Sequence, residues 1–406
     1  MAEKKQSYLS GKEVRAIAKE NRKIMNALEK RKNRKAPESE FTTEMKDPAN
    51  ILEIEDLHTY FFTDQGVVKA VNGVSFNVPK HATVGVVGES GCGKSVTSMS
   101  VMRLLQGPQG QIVSGSIRFN SHDFKRDSHG KIIPTGEVDQ YGTPLYEMED
   151  KVFDIAQMPM REIHRIRGRQ IAMIFQEPMT SLNPVFTIGD QLDEVTFIHV
   201  PGATKEMAKA RSMEMLSLVG IAAPERVYKA YPHELSGGMR QRVMISMALA
   251  CNPRLIIADE PTTALDVTIQ AQILDLLRDL KEKMDGSILL ITHDLGVIAE
   301  MADFVVVMYA GRVIEMGTVD EIFHDPRHPY TIGLQKSKPT LDSDSDTLFN
   351  IPGNVPNPVN MPGHCYFKER CDRCIGKCSG DYPCMKQISP THMVACHLYG
   401  EEETHG

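Results

Sequence analysis

The residues Gly88-Glu-Ser-Gly-Cys-Gly-Lys-Ser95 have the types and spacing needed to hold a chain of phosphates. Glycines let backbone N–H groups converge on phosphate oxygens, a lysine adds positive charge, and a serine hydroxyl suits a Mg²⁺ ligand. The ordinary alternative is a chance glycine-rich turn, but here a predicted strand comes before the segment and a predicted helix after it. The predicted nucleotide contacts are Gly88, Glu89, Ser90, Gly91, Cys92, Gly93, Lys94, Ser95 and Val96.

Two adjacent carboxylates, Asp259 and Glu260, follow a short apolar segment that is typical of a buried strand. Ligands of α/β proteins bind at the carboxyl ends of such strands. We therefore expect Asp259 to hold Mg²⁺ and Glu260 to act as the general base that activates water. An exposed acidic turn is the alternative, and the phosphate-loop pattern upstream makes it the weaker one.

Gln176 and His293 each follow an apolar segment, so they too are predicted to lie at strand ends. A single polar side chain in such a place is usually structural. Their functional interpretation depends on family context, which is given below.

Six of the eight cysteines lie between residues 365 and 396, in a segment rich in Gly and Pro. So short a segment cannot build a large core, and a metal would supply the missing stability. Thiolates suit either Zn²⁺ or an iron–sulfur cluster, and free or oxidised thiols are the third possibility. The spacing alone favours Cys371, Cys374 and Cys378.

These residues need a scaffold, and the pattern of the chain predicts a largely parallel α/β sheet. Strands are expected at 83–87, 254–258 and 287–292, and helices at 95–105, 205–219 and 269–284. Residues 121–162 lack this rhythm and are predicted to form an inserted surface lobe. We expect three parts: a basic arm (1–46), a nucleotide-binding domain (47–324) and, after a Pro-rich linker, a small separate C-terminal module (325–406).

Composition narrows the functional classes. The net charge of −7 argues against non-specific nucleic-acid binding, and we expect no nucleic-acid partner. No apolar stretch approaches the roughly 20 residues that span a bilayer, and the N-terminus lacks a signal core. Residues 1–35 carry a net charge of +8. We favour a solvated, partly disordered tail there over an amphipathic helix docked on an anionic membrane.

Residues 234–242, Glu-Leu-Ser-Gly-Gly-Met-Arg-Gln-Arg, resemble the LSGGQ signature of ABC-type ATPases, with Met239 in place of Gln. The segment 263–266 resembles the D-loop of that family, Gln176 matches its Q-loop and His293 its switch histidine. The resemblance implies a parallel-sheet core, an antiparallel β-subdomain, a helical signature subdomain and two domains stacked head to tail. Each nucleotide would then lie between the phosphate loop of one domain and the signature of the other.

The resemblance also assigns roles to particular residues. Three signature residues would contact the γ-phosphate bound on the partner, His293 would hold the attacking water, and Gln176 would reach Mg²⁺. An aromatic residue would stack on adenine, and Phe61 matches it best, with Tyr60 and Phe62 as close competitors. Beyond the phosphate loop, the residues implied at the nucleotide are Phe61, Ser236, Gly237, Gly238 and Asp266.

Further stretches narrow the resemblance to the ATPases of oligopeptide and dipeptide importers: residues 174–184, 231–235, 325–331 and 351–356, and the tail from 365 to 397. Peptide is the cargo favoured, with nickel or glutathione as alternatives in the same family and a soluble, non-transport ABC ATPase as a weaker one. The implied location is peripheral, on the cytoplasmic face of the cell membrane. The implied partners are two permeases, a second, distinct ATPase subunit and an extracytoplasmic peptide-binding protein.

The tail of that family also implies a ligand set. Four of its cysteines are taken to bind a [4Fe-4S] cluster, and they match Cys365, Cys371, Cys378 and Cys396. Cys374 and Cys384 are then additional, although spacing alone favours Cys374. Zinc remains the alternative metal.

Overall fold

The computed structural model describes residues 10–177, 181–263, 265–284, 286–337, 350–359 and 361–399. Four features predicted from the sequence lie partly outside these ranges. They are residues 1–9 of the basic arm, 178–180 of the motif at 174–184, Ala264 of the D-loop-like segment, and residues 338–349, 360 and 400–406 of the C-terminal module.

Strands and helices alternate through most of the chain. The strands are β1 (Thr42–Thr43), β2 (Asn50–Thr63), β3 (Gly66–Pro79), β4 (Thr83–Val87), β5 (Gly110–Phe124), β6 (Pro134–Val138), β7 (Pro144–Tyr146), β8 (Met148–Asp154), β9 (Ile171–Ile174), β10 (Leu255–Asp259), β11 (Ser287–Ile291), β12 (Phe304–Tyr309), β13 (Arg312–Thr318), β14 (Lys386–Gln387) and β15 (Met393–Val394). The α-helices are α1 (Gly11–Lys32), α2 (Lys94–Val101), α3 (Ile188–His199), α4 (Lys205–Leu218), α5 (Pro224–Lys229), α6 (Gly237–Leu249), α7 (Val267–Met284), α8 (Leu295–Met301), α9 (Val319–His324) and α10 (Pro329–Lys336).

A mostly parallel sheet forms the centre of the molecule, with the strand order β14-β15-β13-β12-β4-β11-β10-β9. The strands β4, β10 and β11 are buried along their whole length, as expected for a sheet covered on both faces. They pair in parallel, for example Leu290 with Gly85 and Ala258 with Leu290. The α/β core predicted from the sequence is therefore confirmed, and the carboxyl ends of these strands meet at one edge.

An antiparallel sheet with the order β1-β8-β5-β2-β3 packs beside this core. Its strands β5 and β8 contain residues 121–124 and 148–154. The prediction of an inserted lobe over 121–162 is therefore too broad. Residues 121–124 and 148–154 of that segment belong to the sheet, and the two-stranded β6–β7 hairpin lies between them. The alternation was hard to detect because β6 is exposed throughout and so has no apolar face.

The helices α3 to α6 form a separate layer next to β9. Threonine caps start two of them: Thr187 accepts from the N–H of Asp190, and Thr204 accepts from the N–H of Met207. Such caps satisfy N–H groups that a helix end otherwise leaves unpaired. The helix predicted at 205–219 is confirmed by α4, with an end one residue earlier.

The basic arm is ordered from Gly11 onward, so the favoured expectation of a disordered tail is wrong for residues 11–32. A capping box between Ser10 and Glu13 starts α1, and three basic residues close its last turn. The helix also has tertiary contacts, because buried Asn21 donates to the Thr63 carbonyl at 2.9 Å and Gln111 donates to Glu29 at 2.6 Å. These long-range contacts stabilise a helix that sequence pattern alone left uncertain.

The C-terminal residues are continuous with the core. Strand β15 pairs with β13, which adds β14 and β15 to the central sheet. The side chains of Tyr330, Ile351 and Phe367 are buried in the same apolar cluster as the main sheet. The expectation of a small separate module is therefore wrong for the described part of this region. None of the described helices is both long and apolar enough to cross a membrane.

Candidate nucleotide site

The loop after β4 has the backbone shape that its glycines permit. Gly91 and Gly93 adopt φ values of +77° and +103°, which disfavour residues with a Cβ. A Cβ on Gly88 would lie 2.2 Å from the Met308 carbonyl oxygen, and one on Gly93 would lie 2.4 Å from the Ala70 carbonyl oxygen. The loop is thus held tightly against β12 and β3, and Gly93 leads directly into the N-terminus of α2. This geometry suits an anion at the helix start.

Lys94 and Ser95 connect this loop to the end of β10. The buried Lys94 ammonium donates to the Gly88 carbonyl at 2.7 Å and to the Glu89 carbonyl at 3.2 Å. The Ser95 hydroxyl donates to Asp259 Oδ1 at 3.0 Å. A hydroxyl and a carboxylate in this arrangement are the hard oxygen donors that Mg²⁺ prefers. The predicted pair of magnesium ligands is therefore adjacent in space.

Glu260 is the meeting point of the other predicted residues. Gln176 donates to Glu260 Oε2 at 2.8 Å, and His293 Nδ1 lies 3.1 Å from Glu260 Oε1. Thr263 donates to Glu260 Oε2 at 2.9 Å. The three come from the ends of neighbouring strands and the turn after β10. Gln176 does not contact Asp259 directly, so its predicted approach to Mg²⁺ stays a prediction.

The two carboxylates have opposite pKa shifts. Burial raises the pKa of Asp259 to about 6, with neighbouring Glu260 adding to the shift and Ser95 opposing it. For Glu260, burial also favours a higher pKa, but hydrogen bonds from His293 and Thr263 outweigh it and lower the pKa below the usual range. A cation beside Asp259 would favour its ionised form. Glu260 is ionised at neutral pH and can accept a proton.

The predicted signature residues lie on the surface. Ser236 caps α6 by accepting from the Met239 N–H at 3.3 Å, and Ser236 and Gly237 are exposed. Asp266 is also exposed and caps α7 by accepting from the Ile269 N–H at 3.0 Å. Both caps stabilise their helices, and neither side chain bonds to the described phosphate loop of the same chain. A partner-facing role for these residues stays a prediction.

Of the three aromatic residues considered for adenine, Phe62 is buried in the sheet and unavailable for stacking. The Tyr60 hydroxyl donates to Asn72 at 2.8 Å. Phe61 is half-buried and pairs with Gly110 across β2 and β5, with Thr59 on the same face of β2. Thr59 contacts Ser100 of α2 at 2.8 Å, so this face is directed toward the helix after the phosphate loop. The adenine role of Phe61 is compatible with this placement and stays a prediction.

Glu89 has partners that sequence reasoning missed. Its backbone N–H donates to the Tyr330 hydroxyl at 2.8 Å, and its carboxylate accepts two hydrogen bonds from Arg370, at 2.7 and 3.0 Å. Tyr330 and Arg370 thus contact the loop although they lie 241 and 281 positions after Glu89 in the sequence. The predicted contact of Glu89 with the nucleotide stays a prediction, and its N–H and its side chain face the C-terminal region. No local pattern marks Tyr330 or Arg370 for this contact.

The four cysteines selected by resemblance, Cys365, Cys371, Cys378 and Cys396, line one small cavity. Cys374 and Cys384 are exposed and do not line it. Burial is the largest cause of a raised pKa at Cys365, Cys371 and Cys396. Within the described ranges, however, no three His, Cys, Asp or Glu side chains are grouped so that they could hold a metal ion. The predicted [4Fe-4S] cluster and its zinc alternative therefore lack structural support.

Comparison with known proteins decides the family. The family model described as "ABC transporter" matches residues 71–263, and that described as "Oligopeptide/dipeptide transporter, C-terminal region" matches residues 314–378. The oligopeptide transport ATP-binding protein AppD of Bacillus subtilis is 48% identical over 354 residues, which is 87% of this chain and 98% of AppD. This chain is an ABC transporter ATP-binding protein of the oligopeptide/dipeptide family.

Other relatives of this ABC ATPase agree. The dipeptide transport ATP-binding protein DppD of Bacillus subtilis is 45% identical, covering 87% of this chain and 96% of DppD. The oligopeptide transport ATP-binding protein OppD of Salmonella typhimurium is 44% identical, covering 90% of this chain and 98% of OppD. ATP hydrolysis is thus the activity of the cassette.

A solved dimer of an ATP-binding cassette with bound ADP and phosphate covers 66% of this ABC ATPase and 98% of its own chain. Its TM-score is 0.52 at 23% identity, so it supports the cassette fold alone. The family match at the C-terminus begins at residue 314, within β13, which agrees with the continuity of this region and the core. It ends at Cys378 and does not reach Cys396.

Proposed function

We propose that this chain is the energy-coupling subunit of a membrane importer for dipeptides or oligopeptides, and that it hydrolyses ATP at Glu260. The observation that carries the proposal is the convergence of Gln176 and His293 on Glu260, beside the Ser95–Asp259 pair. Relatives named for oligopeptide and dipeptide transport match almost their entire length and support peptide as the cargo.

The residues present account for hydrolysis through positioning and electrostatics. Lys94 and the loop amides would bind the phosphates, and Ser95 and Asp259 are the residues that would hold Mg²⁺. When bound there, Mg²⁺ would neutralise part of the charge that develops on the phosphates. Glu260 accepts a proton from the attacking water while His293 orients it, and the water oxygen bonds to the γ-phosphorus as its bond to the bridging oxygen breaks, which releases ADP and phosphate. The lowered pKa of Glu260 keeps it ionised for this step.

The exposed signature supports a second ATPase subunit. Ser236, Gly237 and Gly238 at the start of α6 offer a hydroxyl and free backbone N–H groups to a phosphate bound on that subunit. Asp266 at the start of α7 completes the same surface. In this proposal ATP closes the two subunits and hydrolysis reopens them. A distinct second subunit, forming a heterodimer, is the arrangement we favour.

A groove beside Gln176 supports contact with a permease subunit. A second ATPase subunit would contact the second permease in the same way. The groove is lined mostly by apolar residues, which include Phe175, Leu182 and Val195. Val185 and Phe186 nearby are 74% and 53% exposed. Because Gln176 links this surface to Glu260, permease contact and nucleotide state can be coupled there. The location is then the cytoplasmic face of the membrane, with an extracytoplasmic peptide-binding protein delivering cargo.

We propose further that Cys365, Cys371, Cys378 and Cys396 bind a [4Fe-4S] cluster, with zinc as the alternative. This donor set is the one that the family resemblance implies; its four cysteines line the same small cavity, whereas Cys374 and Cys384 are exposed. Iron, sulfide and zinc analysis of anaerobically purified protein tests it. We expect C371S to lose the metal and C374S to retain it. Metal-free wild-type protein contradicts the proposal.

Uptake by the reconstituted transporter tests the proposed function. Proteoliposomes with both permeases and the second ATPase subunit should accumulate a labelled oligopeptide when ATP is supplied, and E260Q should abolish accumulation. E137Q, which makes the same change on the exposed strand β6, is the matched control and should transport normally. Uptake of nickel or glutathione instead of peptide supports the alternative cargoes. Failure to associate with any permease supports a non-transport ATPase.

A further inference from the structure

We propose that Tyr330 and Arg370 are positioning residues for ATP binding, through which the C-terminal region holds the phosphate loop in its binding shape. The inference rests on the assignment of residues 88–95 to the phosphates of ATP. It goes beyond that assignment because it gives residues outside the cassette motifs a role in nucleotide affinity. The C-terminal region is the described part of residues 325–399, which is 325–337, 350–359 and 361–399.

Tyr330 holds the backbone of the loop. Its side chain is fully buried in α10, and its ring contacts Tyr309 at 4.8 Å and Phe367 at 5.5 Å between centroids. Packing on both sides leaves the hydroxyl no freedom to move away from the Glu89 N–H, which it accepts at 2.8 Å. The second residue of the loop is therefore fixed by a rigid aromatic cluster.

Arg370 holds the side chain of the same residue. Its guanidinium makes two parallel hydrogen bonds to the Glu89 carboxylate, a geometry that is stronger and more directional than a single charged contact. The guanidinium also donates to the Pro352 carbonyl through Nε at 3.0 Å and lies over the Tyr309 and Phe367 rings. Because Arg370 is buried and fully engaged, it can transmit the position of the C-terminal region to Glu89.

The contacts of Tyr330 and Arg370 with Glu89 matter for ATP because Glu89 is also bonded to Lys94. Lys94, the residue assigned to the phosphates, donates to the carbonyls of Gly88 and Glu89, so the position of Glu89 also affects the position of Lys94. With Glu89 fixed, the loop binds ATP without first losing conformational freedom. If Glu89 is released, ordering the loop costs part of the binding free energy. The loss should appear in affinity more than in the rate of the chemical step.

A merely structural role is the competing explanation. Removing one member of a buried Arg–Glu pair destabilises many proteins, whatever the pair contacts. The distinguishing measurement is therefore nucleotide affinity in folded protein, with the melting temperature recorded in parallel. A structural role lowers the melting temperature alone, whereas a positioning role also weakens the nucleotide.

The test uses the full chain, with binding of fluorescent N-methylanthraniloyl-ADP and Mg²⁺, followed by the KM and kcat for ATP. We expect R370M and Y330F each to weaken binding and raise KM on the order of tenfold, with kcat changed less than about twofold. Matched controls in the same region are R327M, whose side chain pairs with Asp325, and Y399F, whose hydroxyl donates to the Arg327 carbonyl. Both should bind as wild type.

A double-mutant cycle adds a second criterion. Combining E89Q with R370M should weaken nucleotide binding no further than R370M alone, because both substitutions remove the same Arg370–Glu89 interaction. If R370M fails to fold, Y330F still decides, because it removes a single oxygen atom. Wild-type affinity in folded Y330F and R370M overturns the inference. A K94A protein that still binds the probe shows instead that the phosphate-loop assignment has failed.

Discussion

The nucleotide site and the C-terminal region were both marked by distinctive residues, but they relate to the fold in different ways. The site residues lie in short motifs at strand ends, so that parallel pairing of β4, β10 and β11 brings them together. The C-terminal region contacts the core through residues far apart in sequence, such as Glu89 with Arg370. A motif that includes its own strand or helix can be placed from sequence, whereas a contact between distant segments cannot.

The comparison also separates two kinds of energetic role. The partners of Glu260, Gln176 and His293, are assigned to ATP hydrolysis, and they lie at a partly open edge of the sheet. Glu315, on β13, is fully buried and accepts hydrogen bonds from the backbone N–H groups of Arg327 and His328, with His392 Nε2 at 2.8 Å. Those contacts fix the start of α10, which carries Tyr330. We infer that Glu260 governs turnover and Glu315 governs the attachment of the C-terminal region.

Of the substitutions considered, E260Q should have the largest effect, and the effect is on the rate of ATP hydrolysis. Without a carboxylate to accept the proton, kcat for ATP hydrolysis should fall by about 10³-fold while ATP remains bound. Steady-state phosphate release, together with equilibrium binding of ATP, measures both quantities. R370M should show the reverse split, a raised KM with kcat retained. Wild-type turnover by E260Q contradicts the role of this residue.

Substituting E315A should destabilise the C-terminal region by about 3 kcal/mol, because two backbone N–H groups and His392 lose their buried acceptor. Hydrogen exchange should accelerate first in β14, β15 and α10. Unchanged exchange in these elements contradicts the proposed anchoring. E321Q is not a suitable control because the Glu321 carboxylate accepts from the N–H of Thr318, the residue that caps α9, whereas E137Q on the exposed β6 hairpin is suitable.

The D259N substitution should change the stability of the folded state less than E315A does, and in the opposite direction. Burial raises the pKa of Asp259 from its ordinary value to about 6, so the ionised form destabilises the folded state above that pH. D259N removes this penalty and should raise stability at pH 8 by on the order of 1–2 kcal/mol in magnesium-free, nucleotide-free solution. The gain should shrink as pH falls from about 6 toward 4. Denaturant unfolding at pH 8 and pH 4.5 measures it, and a pH-independent gain contradicts the cause given.

Much of the nucleotide site was predictable because each of its residues has a local signal. Lys94, Asp259 and His293 each follow a recognisable apolar strand or glycine loop, and their distances agree with that placement. Thr263 appeared only within a motif, and its bond to Glu260 depends on how the turn after β10 closes. The general fold followed from the same periodicity, since fully buried strands have continuous apolar sequences.

The remaining features depend on interactions that sequence pattern does not encode. Order in α1 depends on Asn21 and Glu29 meeting strands β2 and β5, long-range contacts that the pattern of a basic amphipathic helix does not reveal. The β6–β7 hairpin is too exposed to show alternation. The Pro-rich C-terminal sequence indicates a linker, yet Tyr330 and Phe367 bury it against the main core.

The central claim is that Lys94, Ser95, Asp259 and Glu260 form one site for magnesium and ATP. Calorimetric titration of MgATP into E260Q and into K94A/E260Q tests it most directly, since the first variant binds without turnover. We predict saturable, magnesium-dependent binding to E260Q and loss of at least about 100-fold in affinity when Lys94 is also replaced. Equal affinity in both proteins, or binding that does not depend on magnesium, would contradict the account.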